Sequence, residues 1–419
     1  MIKNFLKILY LLINKKISFK SPKRCDLVIF DIKSFNDIKY FFEKFDYFIL
    51  ESRLDTLKKI YLSPKVIFYI IKNLSLGNIF TIYMISLLEI VKPKIIFTRI
   101  DNSLKFSELA KLCSKKYKFM ALQSAVRMDY LYDSHFYKMK EVNFDYNKQI
   151  FIPYFFCFGD YEKEKFREIN LRINNFFPVG DLQFSDYLQF KKKNPKINKK
   201  KDVCLISDYI GKNYNHAYLG YDKLIYEKLN DSRHIRNINF KEGILKLLKY
   251  VLRFVQKNNL SLAIPLKRDP KLHPHLAKIE KEYFKNNLNK QEYEYFEKCV
   301  IVRDRFNCSS LTSLMNSNVA VGLGSTLLRN KIGAGGKALS CNFVKDEIYN
   351  FPIDGVCSLK DCEYEDFERR MLQLLKMSET EFHSKIDKDP GYIMKFQNDL
   401  STEDMIIKKF SEFGVNIKK

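Results

Sequence analysis

Along this chain, short runs of β-branched, aliphatic and aromatic residues alternate with longer stretches in which apolar positions recur every three or four residues. DLVIFD (26–31), DYFILE (46–51), KIIFTRID (94–101), KFMALQS (118–124) and YFFCFGD (154–160) are bounded by polar residues and predict buried strands. Between them, SPKVIFYIIKNL and SLKFSELAKLCSKKY have the spacing of amphipathic helices. Strand and helix in alternation imply a parallel sheet covered on both faces.

The rhythm breaks at FKKKNPKINKKKD (190–202), a lysine-rich segment without core-forming residues. It restarts with DVCLISD (202–208), SLAIPLKR (261–268), CVIVRD (299–304), NVAVGLGS (318–325) and KALSCNF (337–343), with helices in KEGILKLLKYVLRFVQKNN and DFERRMLQLLKM. The expected organisation is a Rossmann-like domain over residues 1–190, a linker at 191–201, a second Rossmann-like domain over 202–400, and a tail or helix at 401–419. Ligands of open α/β sheets sit at the carboxyl ends of the strands, so the expected site is a cleft between two facing rims. The fold class is α/β with two Rossmann-like domains, a GT-B-like arrangement.

The chain's 419 residues allow about two or three domains. With 46% apolar residues, 14 Gly and 11 Pro, global disorder and collagen-like or proline-rich architectures are excluded. Lys and Arg number 73 against 49 Asp and Glu, a formal charge of 73 − 49 = +24. That field favours anionic partners: nucleic acid, acidic lipid or phosphorylated small molecules. Genome-wide codon bias produces the same slant, since Lys, Asn, Ile, Phe and Tyr abound and Trp is absent. Basic residues spread through all segments give no dedicated nucleic-acid face. The nine cysteines form no Cys-x-x-Cys pair, which fits a reducing cytoplasm and argues against structural zinc.

The opening segment resembles a signal peptide only briefly, because Lys7 interrupts the apolar region and no small-residue cleavage site follows. Phe5, Ile8, Leu9, Leu11, Leu12 and Ile13 form an apolar helical face flanked by Lys3, Lys7, Lys15 and Lys16. It suits either an anionic membrane surface or packing on its own domain. No membrane-spanning helix is expected.

The sharpest motif is VAVGLGSTLLRN (319–330), where a strand ends in Gly322 and Gly324 and a helix starts near Ser325 or Thr326. Backbone amides, the two hydroxyls and Arg329 suit a phosphate; a serine-capped turn is the alternative. Lys267 and Arg268 end another predicted strand, either facing a diphosphate or sugar carboxylate or forming a solvated charge pair. On the first half's rim, Asp101 is a candidate base or nucleophile, or else a helix cap. Gln123, Ser124 and Arg127 are candidates to orient an acceptor, and Asp160 and Asp181 complete the turn-like strand ends. No metalloprotease, kinase, zinc-finger or nucleophile-elbow signature is present, so metal-independent chemistry is favoured.

Taken in order, TRIDNSLKFSELAKL, KFMALQSAVR, YFFCFGDYEKEKF, FFPVGDL, DVCLISDY, GLGSTLLRNKIGAGGKAL and IDGVCSLKDCEYEDFERRMLQLLKMSETEF resemble the bacterial surface carbohydrate biosynthesis proteins, over roughly residues 90–410. These look like GT-B glycosyltransferases of the Kdo, capsule and teichoic-acid type. The resemblance implies an activated-sugar donor on the C-terminal domain around Ser207, Lys267, Arg268, Gly322, Gly324, Ser325, Thr326 and Arg329. It implies a glycan or glycolipid acceptor near Asp101, Asn102, Gln123, Arg127 and Asp160. Where relatives commonly carry a Gln-Asn-Gly-like turn, this chain has Gln123-Ser124-Ala125-Val126-Arg127, without the glycine.

The expected activity is metal- and cofactor-free transfer of a sugar, such as a CMP-activated acidic sugar, from a nucleotide donor to a surface polysaccharide or lipopolysaccharide. It would take place in the cytoplasm or on the inner face of the cytoplasmic membrane. A nucleotide-sugar epimerase or hydrolase on the same fold, and a non-catalytic basic protein binding polyanions or membranes, are the rival readings.

Overall fold

The computed structural model describes residues 16–53, 56–76, 78–126, 138–139, 144–145, 150–168, 171–193, 200–209, 223–305, 307–344, 347–397 and 399–418. The expected amphipathic segment over Phe5 to Lys15 lies outside them, as do Arg127 and residues 194–199 of the lysine-rich stretch.

A first six-stranded sheet is built from β1 (Leu27–Phe30), β2 (Tyr47–Leu50), β3 (Ile95–Thr98), β4 (Lys118–Leu122), β5 (Phe151–Cys157) and β6 (Arg172–Pro178). All its pairings are parallel, and the spatial order is β6-β5-β4-β3-β1-β2. A second six-stranded parallel sheet contains β7 (Lys201–Leu205), β8 (Leu262–Pro265), β9 (Val300–Ile301), β10 (Ser317–Gly322), β11 (Lys337–Asn342) and β12 (Ser358–Lys360). Its order, β9-β8-β7-β10-β11-β12, is the Rossmann order 3-2-1-4-5-6. The fold is therefore α/β with two Rossmann-like units, and their carboxyl rims meet, as the site below shows.

The strands are apolar at consecutive positions because both sheet faces are covered. Leu27 and Ile29 pack on one face of the first sheet, Val28 and Phe30 on the other, and all four are fully buried. The helix Leu182–Lys193 runs into the lysine-rich segment, and β7 starts at Lys201. After the second sheet, the chain returns to the first. Lys395 donates its backbone N–H to the Phe158 carbonyl at 2.7 Å. The helix Thr402–Glu412, capped by Ser401, then places the Phe410 ring 5.4 Å from that of Phe97. Among the described residues, no helix is long and apolar enough to cross a membrane.

Candidate functional site

Each sheet has one point where the strand order reverses and the adjacent connections leave in opposite directions, opening a crevice at the carboxyl ends. In the first sheet it lies between β1 and β3, in the second between β7 and β10. The two rims touch. Val126, beyond β4, donates its N–H to Thr326 Oγ1 at 3.2 Å. Arg329 Nη1 lies 2.7 Å from Glu162 Oε1, with both side chains at most 5% exposed, and Asn330 Nδ2 donates to Asp181 Oδ2 at 2.9 Å.

Glu162 also accepts from Gln123 Nε2 and from the Gly159 N–H, both at 3.2 Å. Burial pushes its carboxyl upward against the pull of Arg329 and those donors. Gln123 Oε1 accepts from the Phe158 N–H at 2.9 Å and its Nε2 also donates to the Ala125 carbonyl at 3.1 Å. The structure thus uses both ends of the Gln123 amide, and the Arg329 guanidinium, to hold the rims together. The alternative turn without glycine is braced by that same amide.

At the second crevice, Ser207 and Asp208 follow β7, and Gly322 to Thr326 follow β10. The Leu323 N–H donates to Asp208 Oδ2 at 3.3 Å, and the Gly324 N–H and Ser325 hydroxyl also bond to this carboxylate. Burial raises the Asp208 carboxyl, while Lys267 and these donors oppose the rise. Ser325 also caps the helix Thr326–Gly333. The amides expected to meet a phosphate thus meet a carboxylate of the protein itself. The end of β8 follows the same pattern: buried Glu280 accepts the N–H groups of Lys267 at 3.0 Å and Arg268 at 3.1 Å, and the Ser207 hydroxyl. A cavity of about 10 Å³ lies behind Ser207 and Asp208, against Ile244, Leu248, Ile264 and Phe296.

The side chains of Lys267 and Arg268 remain on the rim, half-buried, with Lys267 Nζ 3.3 Å from the Asp208 carbonyl oxygen. They are joined by two cations that sequence reasoning passed over. Arg303 and Arg305 follow β9, and Arg303 donates to the Lys267 carbonyl. Burial lowers the pKa of Arg303, and Arg305 and Arg268 lower it further while Glu280 and Asp269 oppose them, so several cations gather at this rim with two carboxylates beneath. The signal was present: CVIVRDR ends a strand in cations just as AIPLKR does.

At the first crevice, Asp101 is buried at 5% exposure, with half-buried Asn102 beside it. The cap of the following helix is Ser103, whose Oγ accepts from the Phe106 N–H at 3.2 Å, so capping is not the role of Asp101. Asp160 opens the helix Asp160–Glu168 and lies 3.7 Å from Lys395 Nζ on the returning segment. The structure does not bring it together with Asp101 in any contact described. Among the described residues, no group of three or more His, Cys, Asp or Glu side chains could hold a metal ion.

No protein-family model and no curated protein matches this sequence. Among solved structures, the chain is similar to the UDP-GlcNAc 2-epimerase of Methanocaldococcus jannaschii, in complex with UDP-GlcNAc and UDP. The two are 14% identical, with a TM-score of 0.45, over 92% of this chain and 99% of the other. The Neisseria meningitidis UDP-GlcNAc 2-epimerase bound to UDP-GlcNAc is 11% identical, with a TM-score of 0.43 and coverages of 92% and 99%. A glycosyltransferase from Rickettsia africae is 10% identical, with a TM-score of 0.43 and coverages of 96% and 98%. The fold assignment stands on the strand orders given above.

Proposed function

We propose that the protein is a glycosyltransferase that moves a sugar from a nucleotide-activated donor to a bacterial surface glycan or glycolipid. The observation that carries this reading is the crowding of Lys267, Arg268, Arg303 and Arg305 at the carboxyl rim of a sheet in Rossmann order, beside its switch point. Mutually repelling cations, one of them substantially desolvated, are stabilised by a bound polyanion such as a nucleoside monophosphate or diphosphate. In this reading the rim side chains hold the donor phosphates and stabilise the leaving group without a metal ion. Ser207, Gly322, Gly324 and Ser325 shape the crevice through the Asp208 and Glu280 networks. Asp101, across the cleft, takes the proton of the attacking acceptor hydroxyl. The donor class is a CMP-linked acidic sugar, whose carboxylate also suits this rim.

We place the enzyme in the cytoplasm, at the inner face of the cytoplasmic membrane. Supporting that contact are the exposed Ile67, Phe68, Ile71, Leu74 and Ile79, with exposed Lys65 and Lys72 among them. An apolar face ringed by lysines on a chain of charge +24 fits an anionic bilayer.

The test is a thermal-shift titration against CMP, UDP, GDP and CDP compounds. One nucleotide class should stabilise the protein saturably, and Lys267→Ala and Arg303→Ala should each weaken that affinity by about tenfold or more, the size of a lost charge-assisted hydrogen bond. A response shared by all polyanions and removed by moderate salt would overturn the donor site in favour of a polyanion-binding protein. With a nucleotide-sugar, turnover that needs no acceptor would replace the transferase by an epimerase or hydrolase.

A further inference from the structure

The first sheet's switch point holds a cation that the reading above does not use. Arg99 is the residue directly after β3. Ile29 pairs with Phe97, so Arg99 and Asp31 follow side by side at the carboxyl ends of β3 and β1. The loop is fixed from below: the Arg99 N–H donates to Ser34 Oγ at 3.0 Å, the Ile100 N–H to Thr98 Oγ1 at 2.9 Å, and the two hydroxyls lie 3.2 Å apart.

The Arg99 side chain is held but not bonded. The residue is 5% exposed, its Nε is enclosed without a hydrogen-bond partner, and among the described residues its terminal nitrogens make no hydrogen bond or ion pair. Arginine keeps its charge when largely buried, so a guanidinium whose Nε is enclosed and whose terminal nitrogens have no partner among the described residues is suited to receive an anion. Asp31 and Asp186, two acids near it, have partners of their own. Asp31 is bonded to the Lys33 N–H at 2.9 Å and Ser52 Oγ at 2.6 Å, and Arg53 Nε lies 3.2 Å from it. Asp186 accepts from the hydroxyl of Tyr40, a residue close enough to feel the Arg99 charge. Asp31 also adopts φ 74°, a left-handed conformation costly for a non-glycine residue, at this same strand end.

We propose that Arg99 anchors a second anion site, in the crevice between β1 and β3, that takes a phosphate or carboxylate group of the substrate on the first unit. The guanidinium supplies the planar fork that matches such a group in a bidentate manner. Calling its ligand the acceptor rests on the transferase reading; the anion site itself does not. If both hold, the acceptor is a phosphorylated or acidic glycan with its charge near Asp101.

The experiment uses the full chain carrying Lys267→Ala and Arg268→Ala, so that the second rim does not report. Inorganic phosphate and pyrophosphate serve as phosphate probes and N-acetylneuraminic acid as the carboxylate probe, each titrated by calorimetry with and without Arg99→Met or Arg99→Lys. One probe should bind saturably and reveal which source of charge the site takes. Its affinity should fall about tenfold to a hundredfold in Arg99→Met, and less in Arg99→Lys, which keeps the charge but not the fork. Without ligand, Arg99→Met should melt at or above the temperature of its parent, because a largely buried charge with no side-chain partner among the described residues has been removed. Equal binding with and without Arg99, no saturable binding of any probe, or a large drop in the melting temperature of unliganded Arg99→Met overturns the site. A nucleotide response that is absent from the wild-type chain, or unchanged by Lys267→Ala, with these results intact would identify a failure of the donor reading alone.

Discussion

Individual carboxylates decide much of this molecule's chemistry, and Asp186 shows how. Its carboxyl is raised to about 6 by burial, against the pull of the Tyr40 hydroxyl; Glu403 and Asp181 add to the rise and Lys44 opposes it. In the unfolded chain the same group titrates near about 3.9. Between these values the folded protein binds more protons than the unfolded one, so this contribution is fully present below about pH 4 and is lost as pH rises through about 6. Asp186→Asn removes the titration. Relative to wild type, the variant should gain about 2–3 kcal/mol of unfolding free energy between pH 4 and pH 8, measured by urea denaturation at both ends. A difference between the proteins that stays constant with pH would show that Asp186 titrates normally. Such partnerships are not readable from spacing. Asp208 at the Gly324 loop and Glu280 beneath Lys267 are brought there by tertiary packing across 115 and 12 to 13 positions, respectively. A phosphate-like loop in sequence can therefore turn out to cradle the protein's own side chain.

The secondary-structure elements were legible wherever a strand is buried on both faces. The continuous apolar runs at β1, β3, β4, β7, β8, β10 and β11 announce themselves, because both neighbours and both layers demand apolar side chains. Of the edge strands β6 and β12, only the end of the first was read, at the turn holding Asp181, and the second was missed. β6 reads RINNFFP and is half exposed, so one side of its pattern is polar, and β12 is three residues long. The helix Pro64–Lys72 shows the opposite failure. Its period predicts an ordinary amphipathic helix, yet Phe68 and Ile71 are 61% and 63% exposed while Val66 is buried. In the membrane reading, this face enters the headgroup boundary and the lysines remain with the anionic lipids. Wild type should co-sediment with phosphatidylglycerol vesicles. Phe68→Ser with Ile71→Ser should weaken that binding by at least about tenfold, since each side chain is worth about 1.5–3 kcal/mol when buried. Binding abolished by salt but indifferent to the two substitutions would make the attraction purely electrostatic and remove this helix from it.

At the scale of the whole molecule, the two units are joined by their rims and by the chain's return to the first sheet, where Thr402 donates its N–H to Ser185 Oγ at 3.0 Å and Phe410 packs among Phe41, Phe45 and Phe97. The rim contact is centred on Arg329 and Glu162. Both groups are withdrawn from water, so each is tolerable only because the other is present, and the network extends through Gln123 to the loops after β4 and β5. Arg329→Met strands the Glu162 carboxylate and should cost about 3–5 kcal/mol at pH 7. Glu162→Gln combined with Arg329→Met leaves an amide that can still meet the Gly159 N–H and Gln123, and should recover most of that loss. If the double variant is as unstable as the single one, the pair's own attraction, rather than the orphaned charge, holds the rims. The same variants separate closure from folding. A recovered double variant lacks the charged tether, so its rims should part more readily, and hydrogen exchange at Val126, bonded to Thr326, should quicken while exchange in the β1 and β7 cores stays unchanged. Unchanged protection at Val126 would mean that the returning helix Thr402–Glu412 and its preceding segment suffice to keep the cleft closed.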